Sequence, residues 1–438
     1  MDIGIVGAGI GGLYSAMILL KSGHNVTIYE KENYIGGLAR SHKFNGYFYD
    51  VGPHIVFSRD QEILTEMLSI HTMWNKFERK NTISLKGKKV NYPFENYLGM
   101  LDEDTKNYCL NEFLFNSYKD IKAKNMEEFF LKTFGKGIYS TYLYPYNNKL
   151  WKRELTQLDL QMVERIPNPP PKQIIEGSKE IYSEGYTHQA NFYYPKEGGI
   201  QSFVNSLFNK IKDDCQININ TEITSIRKKH NKLEIQTNNG SNSKEHDKII
   251  TTIPLTSLIE RCSNIETISD LRSEINKLEY LGIIYGVIEV ESVVDENIFA
   301  ITVPDSNVIF HRISYLSNIL GLNKNSKNKK HVFLFEISFL DKRTLKTESK
   351  MLGDQILIGM RMCNLTVENK YNFIDVNVAE KAYVIYNLMH RKTVDTIIWT
   401  LRKDDIYPVG RFGSHEYLNM DQVMMNCKSN LDELLKLK

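Results

Sequence analysis

The chain opens on a change of hydrophobic period. Ile3 to Val6 forms a short apolar run, Gly7-Ala8-Gly9-Ile10-Gly11-Gly12 follows at once, and Leu13 to Lys21 carries apolar residues at helical spacing. Val26 to Tyr29 reads as a second strand ending at Glu30. Farther on, the periodicity predicts mostly helix from Gln61 to about Lys132, with "KGKKVNYPF" as a hairpin or strand inside it. "ERIPNPPPKQ" excludes helix around Pro167 to Pro171 and predicts a stiff extended connector. Short strands are expected at "INTEITSIRKK", "KLEIQTN" and "DKIITTIP", with "NNGSNSKEH" (238–246) polar enough for a hairpin tip. A strand-rich stretch from about 280 to 340 holds "IIYGVIEV", "NVIFHRISYL" and "HVFLFEISF". The chain closes with a glycine turn and an amphipathic helix in "VGRFGSHEYLNMDQVMMNCKSNLDELLKL".

Composition narrows the class. With 438 residues and 42% hydrophobic positions, the chain can bury one large core or two to three smaller ones. Lys+Arg 55 against Asp+Glu 53 leaves a formal charge of +2, so no global field points to nucleic acid or to an acidic membrane surface. Any anion is expected to bind locally. The five cysteines, Cys109, Cys215, Cys262, Cys363 and Cys427, are scattered, with no CxxC pair and no zinc-ligand spacing, which predicts reduced thiols mostly in the core. The N-terminal apolar run has glycines and the following Glu30 but no basic n-region, against a signal peptide, and no stretch approaches the roughly 20 apolar residues that span a bilayer. A cytoplasmic location is the expectation.

The opening residues supply candidate chemistry. Strand, GxGxxG, helix, strand and acid follow one another within 30 residues. Gly7 permits the tight turn, Gly9 lets the backbone approach a pyrophosphate, and Gly12 allows close helix packing, while Glu30 is placed to accept from a ribose hydroxyl. A dinucleotide site is therefore expected; a Rossmann-like unit without ligand is the alternative. Rival sites are absent from the sequence: "GKGIYS" lacks the phosphate-loop spacing, and there is no GxSxG elbow or HExxH helix. The "KGKKV" run has no interleaved aromatics to stack bases.

After Glu30 the chain reads "KENYIGGLARSHKFNGYFYDVGPHIVF". Its Gly36-Gly37 doublet and Arg40 resemble the second fingerprint of the glutathione-reductase-like FAD proteins, a group that includes amine oxidases, protoporphyrinogen oxidase and UDP-galactopyranose mutase. FAD is the cofactor this implies, with Gly37 close to it and Arg40 as a fixed cation near its phosphates or flavin. Among these proteins the chain most resembles the UDP-galactopyranose mutases, in motifs scattered over most of its length: "YDVGPHIVF", "VNYPFEN", "YPYNNKLWKRELTQLDLQMVERIP", "YYPKEGGIQSFVNSL" and "VGRFGSHEYLNMDQVM". The tryptophan block with its Arg-Ile-Pro carries most of the specificity.

That resemblance implies an α/β fold: a Rossmann-like FAD-binding domain assembled from 1–60, 190–265 and 400–438, with an inserted α+β substrate domain at 61–189 and 266–399. It implies attack of the reduced flavin N5 on the anomeric carbon of a nucleotide sugar and pyranose–furanose interconversion, a chemistry that rests on positioning. By motif, His54 would lie near the flavin, or be a core histidine bonded to backbone. Trp151 and Tyr146 would stand against the substrate, with Trp151 otherwise an apolar anchor between domains. Arg165 and Arg312 would grip a diphosphate, Arg312 otherwise being an ordinary ion-pair partner, and Tyr417 would bond substrate phosphates. Thr252, Arg411, Met420 and Asp421 fall where the chain returns to the cofactor. The departures are Pro169, where the mutases carry a second arginine, and "LNMDQ" in place of "YDMHQ". An FAD-dependent oxidoreductase of the amine oxidase or protoporphyrinogen oxidase type is the alternative, and a flavin-binding protein without turnover a third reading. A small-molecule partner, no nucleic acid, no membrane span and room for a homo-oligomer complete the expectations.

Overall fold

The computed structural model describes residues 1–182, 191–238, 243–262, 264–322, 329–340 and 349–436. Apolar runs buried on both faces make the inner strands of a five-stranded parallel sheet, in the order Ile406–Pro408, Lys248–Thr251, Asp2–Val6, Asn25–Tyr29, Gln216–Asn218, the last a more exposed edge. Asp2–Val6 is central, with neighbours that follow it in sequence on both sides. Its carboxyl end is thus the point where an open α/β sheet forms a crevice. The helix Ile10–Lys21 leaves that end almost wholly buried and packs on the C-terminal helix Met420–Lys436.

A seven-stranded sheet forms the other layer, in the order Phe373–Ile385, Glu279–Val290, His331–Phe339, Arg312–Tyr315, Ala300–Thr302, Asn81–Leu85, Lys88–Asn91. All its pairings are antiparallel except that of Ala300–Thr302 with Asn81–Leu85. Period two decides its faces: Val332 and Leu334 join the core that holds Phe130, Phe134 and Trp151, whereas Phe333 and Phe335 pack with Ile356 and Met360 of the helix Ser349–Met362.

Several expectations hold. "ITSIRKK", "KLEIQT" and "KIIT" are strands, the segment from 280 to 340 is strand-rich, and the chain ends in the expected helix. "KGKKVN" closes a hairpin whose turn residues Lys86 and Gly87 have φ of 49° and 78°, the left-handed pair that matches the twist of its strands. Four cysteines are buried, Cys215 is half-buried, and all are free thiols.

Others are corrected. The helical reading of 61–132 fails at Trp74–Glu78 and Asn81–Leu85, which are strands. Trp74–Glu78 pairs with Asn191–Pro195, a partner more than a hundred residues away that no local period reveals. The extended connector stops one residue early, because Pro171 opens the helix Pro171–Ser178 at the position where a missing N–H costs nothing. The tip of the 238–246 hairpin lies outside the described residues, although the strands flanking it pair.

Candidate functional site

Backbone, not side chains, builds the first half of the site. Gly7 has φ of 100°, and a Cβ there would meet Thr252 Oγ1 at 2.4 Å; one on Gly12 would sit 1.9 Å from the Gly7 carbonyl. Both positions therefore require glycine. Gly9 ends the turn as N-cap of the Ile10–Lys21 helix, with no side-chain cap, so its first N–H groups are left for a ligand. The second glycine loop folds back on the first: Gly9 and Gly36 form an isolated bridge, Gly36 N–H donates to Ala8 at 2.9 Å, and Gly37 has φ of 58°.

Glu30 closes this cradle, 8% exposed, with Oε2 accepting from the Ala8 N–H at 2.7 Å and Oε1 from the Glu32 N–H at 3.0 Å. Thr252 is tied through N–H and Oγ1 to the Val6 carbonyl, at 2.9 and 3.1 Å. Gly410, at φ of 73°, brings the C-terminal segment beside Gly11 and is held by Asn426. Met420 and Asp421 begin the helix that packs on this turn, both buried. Arg40 follows the second loop, and its Nε is buried with no hydrogen-bond partner among the described residues. A bare helix N-terminus, a glycine cradle that any Cβ would fill and a buried unsatisfied guanidinium nitrogen fit a dinucleotide diphosphate.

Side chains from segments far apart in sequence build the second half. Trp151 ends the helix Tyr144–Trp151, and its ring meets Tyr383 and Tyr417 edge-on at 5.9 Å each; Tyr383 and Tyr417 are 5.2 Å apart. Arg411 lies 4.4 Å from the Tyr417 ring and 5.5 Å from that of Tyr383, its Nη1 and Nη2 donating to the Leu418 and Ala382 carbonyls. Tyr146 stacks on Tyr142 at 5.6 Å. This is a packed cluster of aromatic rings with a cation against it, called the aromatic box below.

Arg312 is not a loose cation. Glu336, 0% exposed, accepts from its Nε and, at 2.7 Å, from its Nη2. Burial works against the charge of Arg312, but the carboxylate beside it prevails and holds the guanidinium pKa well above its ordinary value. Gly52 completes the fit: its φ is 74°, and a Cβ there would meet Glu336 Oε1 at 2.9 Å.

Two residues later, His54 Nδ1 lies 3.1 Å from the Gly52 carbonyl. A carbonyl only accepts, so Nδ1 carries the proton and Nε2 keeps its lone pair. Burial pushes the His54 pKa down to about 4, the Gly52 bond opposing and Arg411 and Arg312 adding to the fall. The imidazole is neutral at pH 7.

The structure thus brings His54, Tyr146, Trp151, Arg312, Arg411 and Tyr417 into one neighbourhood and Gly7, Gly9, Gly12, Glu30, Gly37, Arg40 and Thr252 into another. Arg165 ends the short turn Leu160–Arg165, and its side chain lies outside the described residues. Sequence reasoning missed Glu336 and Tyr383. The signal for Glu336 was there, a single acid inside the apolar run "HVFLFEISF"; Tyr383, one of 25 tyrosines, had none. A cleft of about 1470 Å³ bordered by Lys86, Lys88, Tyr108, Lys149, Lys152 and Val308 touches none of the expected site residues. No cluster of potential metal ligands occurs among the described residues, and none of their helices is long and apolar enough to cross a membrane.

Residues 10–334 match the flavin containing amine oxidoreductase family. The chain belongs to that family. It is accordingly a flavoprotein with FAD as cofactor and an FAD-dependent enzyme of the amine oxidase superfamily. Among solved structures, a reduced UDP-galactopyranose mutase is similar over 100% of this chain and 94% of its own, with a TM-score of 0.89 at 23% identity. A putative protoporphyrinogen oxidase from Exiguobacterium sp. 255-15 is similar over 100% and 99%, with a TM-score of 0.78 at 14% identity. At these identities the likeness fixes the fold. A 4,4'-diapophytoene desaturase of Staphylococcus aureus is 43% identical over 60 residues, which take in 14% of this chain and 12% of the desaturase.

Proposed function

We propose that this flavoenzyme is a sugar-nucleotide mutase of the UDP-galactopyranose mutase kind. The aromatic cluster carries the proposal: Trp151, Tyr383 and Tyr417 pack edge to face with Arg411 against them, rings and a cation of the kind a nucleotide base and its phosphates call for. In this reading 1–60, 190–265 and 400–438 form the FAD-binding domain, and 61–189 with 266–399 form the substrate domain. Gly7, Gly9, Gly12, Gly37 and the helix that starts at Ile10 hold the diphosphate of FAD, Glu30 the ribose and Arg40 a phosphate or the flavin edge. Bound FAD supplies either a nucleophilic nitrogen or a hydride acceptor.

The chain's own residues do the rest. Tyr146, Trp151 and Tyr417 orient the substrate, neutral His54 offers its Nε2 lone pair as an acceptor, and Arg411 draws the substrate's anionic part inward. Arg165 lies in the motif of the tryptophan block and is assigned to the diphosphate with Arg312. The test is anaerobic incubation of dithionite-reduced holoprotein with a panel of UDP- and dTDP-hexoses, read by chromatography. Pyranose–furanose interconversion of one of them is expected, and none across the panel would sink the proposal.

A second reading, an oxidoreductase of the amine oxidase or protoporphyrinogen oxidase type, draws on one specific observation. Glu336 already neutralises Arg312, and Pro169 stands where the mutases have another arginine, so the box holds less free positive charge than a diphosphate calls for. Sustained hydrogen peroxide release or dye reduction with an uncharged amine or polycyclic substrate would favour this reading.

A further inference from the structure

The hairpin Ser41–Phe44 and Tyr47–Asp50 leaves the second glycine loop, and its first and last residues, Ser41 and Asp50, stand opposite each other. Asp50 is 3% exposed, and a carboxylate buried that far is costly unless donors surround it. Three donors are present. Its Oδ1 accepts from the Ser41 hydroxyl at 2.6 Å and from the Ile200 N–H at 3.2 Å, and its Oδ2 accepts from the Tyr194 hydroxyl at 2.9 Å. Burial raises the Asp50 pKa to about 6 and these bonds oppose the rise, so at about pH 8 the group is an ionised, acceptor-only carboxylate.

The two oxygens face different elements. Ser41 gives its one proton to Oδ1, which leaves its own oxygen to accept from the Gln201 N–H at 3.0 Å. Gln201 opens the helix Gln201–Asn209, and the turn before it is drawn tight by Gly198 and Gly199, with φ of 75° and 65°. A Cβ on Gly199 would meet Ser41 Oγ at 2.3 Å and Asp50 Oδ1 at 3.0 Å, so glycine is what lets the turn reach this pair. From the same helix the Gln201 side chain donates to the Ile35 carbonyl at 3.4 Å, and Val204 lies 3.4 Å from where a Cβ on Gly36 would stand. The motif "YYPKEGGIQSFVNSL" thus grips the second glycine loop at Ile35 before it and at Ser41 behind it. Tyr194, on Oδ2, belongs instead to the strand Asn191–Pro195.

We infer that Ser41 and Asp50 are positioning residues for the cofactor: through Oδ1 of Asp50 they lock the exit of the second glycine loop onto the start of the helix Gln201–Asn209 and so fix Gly36 and Gly37 against Gly9. The inference rests on the assignment of that loop, through Gly37, to FAD made above. Oδ1 holds the loop and Oδ2 holds a strand. Loss of a donor from the first therefore acts on FAD, and loss of the donor from the second acts on the fold alone.

Equilibrium dialysis of purified holoprotein against diluted FAD at about pH 8 reads this without any turnover, with circular dichroism to establish that each variant is folded. Ser41→Ala is expected to weaken FAD retention about tenfold, the size of one hydrogen bond to a charged group. Tyr194→Phe, which takes a donor from the other oxygen of the same carboxylate, is expected to retain FAD as the native protein does. Gln201→Ala serves as the second variant should Ser41→Ala fail to fold, because Gln201 is only half-buried; it is expected to weaken retention in the same direction. Gly37→Val tests the reading beneath the inference. If Gly37→Val retains FAD as the native protein does, the assignment of the loop to the cofactor fails and takes the inference with it. If Gly37→Val loses FAD while a folded Ser41→Ala, or Gln201→Ala in its place, keeps native retention, the positioning role alone is overturned. Equal weakening by Ser41→Ala and Tyr194→Phe would also overturn it, because the carboxylate would then act on FAD only by loosening the fold.

Discussion

The glycine cradle and the aromatic box lie in one molecule but are made in opposite ways. The cradle presents N–H groups and empty space, from residues that are mostly within 30 positions of each other; its chemistry comes from side chains that are missing. The box presents rings and charges from Trp151, Arg312, Tyr383 and Tyr417, residues that span more than half of the chain. Changes in the first should act on cofactor retention, and changes in the second on folding and on ligand choice.

The strongest way to break this contrast is to put a side chain into the cradle. Gly12→Val places carbon where the Gly7 carbonyl already stands, 1.9 Å from the ideal Cβ position. The purified variant is expected to be colourless, without the oxidised-flavin absorption band, and not to be restored by added FAD. A yellow Gly12→Val protein would show that the glycine turn is not what holds the cofactor.

Next in size is the Arg312–Glu336 pair. Glu336→Ala leaves the half-buried Arg312 guanidinium without its carboxylate, and chemical denaturation is expected to show a loss of about 2 kcal/mol, the scale of hydrogen bonds to a charged group. The double variant Arg312→Met with Glu336→Leu should recover most of that loss, because the cost lies in the unpaired charge. Failure to recover would assign the pair a packing role.

A smaller effect separates the two regions most cleanly. Trp151→Phe and Tyr417→Phe should each weaken a nucleotide-sugar ligand, read as a perturbation of the flavin spectrum, by about tenfold, the first through a smaller aromatic contact and the second through the loss of one hydrogen bond to a charged group. Their FAD content should equal that of the native protein. Loss of FAD in either would merge the two sites into one.

The last effect shows only in acid and concerns the loop beneath Tyr417. His415 is 0% exposed and edge-on to Tyr280 at 4.8 Å, and burial pushes its pKa down to about 3. The unfolded chain binds that proton near its ordinary value of about 6.5, so the unfolded state takes up more protons as pH falls, and stability is lost from about pH 6.5 downward toward pH 3. The sign is therefore fixed. Relative to the native protein, His415→Phe should gain in thermal midpoint as pH is lowered from about 6.5 to about 4, while the two remain parallel above pH 7. A constant difference over that range would mean that His415 does not titrate on unfolding.

What could be read from the sequence follows the same division. Gly7, Gly9, Gly12 and Glu30 could be assigned because local spacing in a strand–turn–helix unit dictates where each backbone group goes. Lys86-Gly87 could be placed in a turn for the same reason. The strand Trp74–Glu78 could not, because its partner Asn191–Pro195 is supplied by the fold. Arg312 was visible as an arginine on a strand, but its tie to Glu336 depends on two strands lying side by side in register, Arg312 opposite Glu336.

The sequence by itself determined that a dinucleotide is held, because a backbone turn is a short-range object and glycine is the residue that permits it. It also indicated the kind of flavoprotein, through motifs strung along most of the chain. Only the tertiary structure decided that Trp151, Tyr383 and Tyr417 pack on one another and that Arg312 arrives already neutralised. Ring contacts, ion pairs and hydrogen-bond directions act over a few ångströms, and between residues hundreds of positions apart only the fold brings them that close.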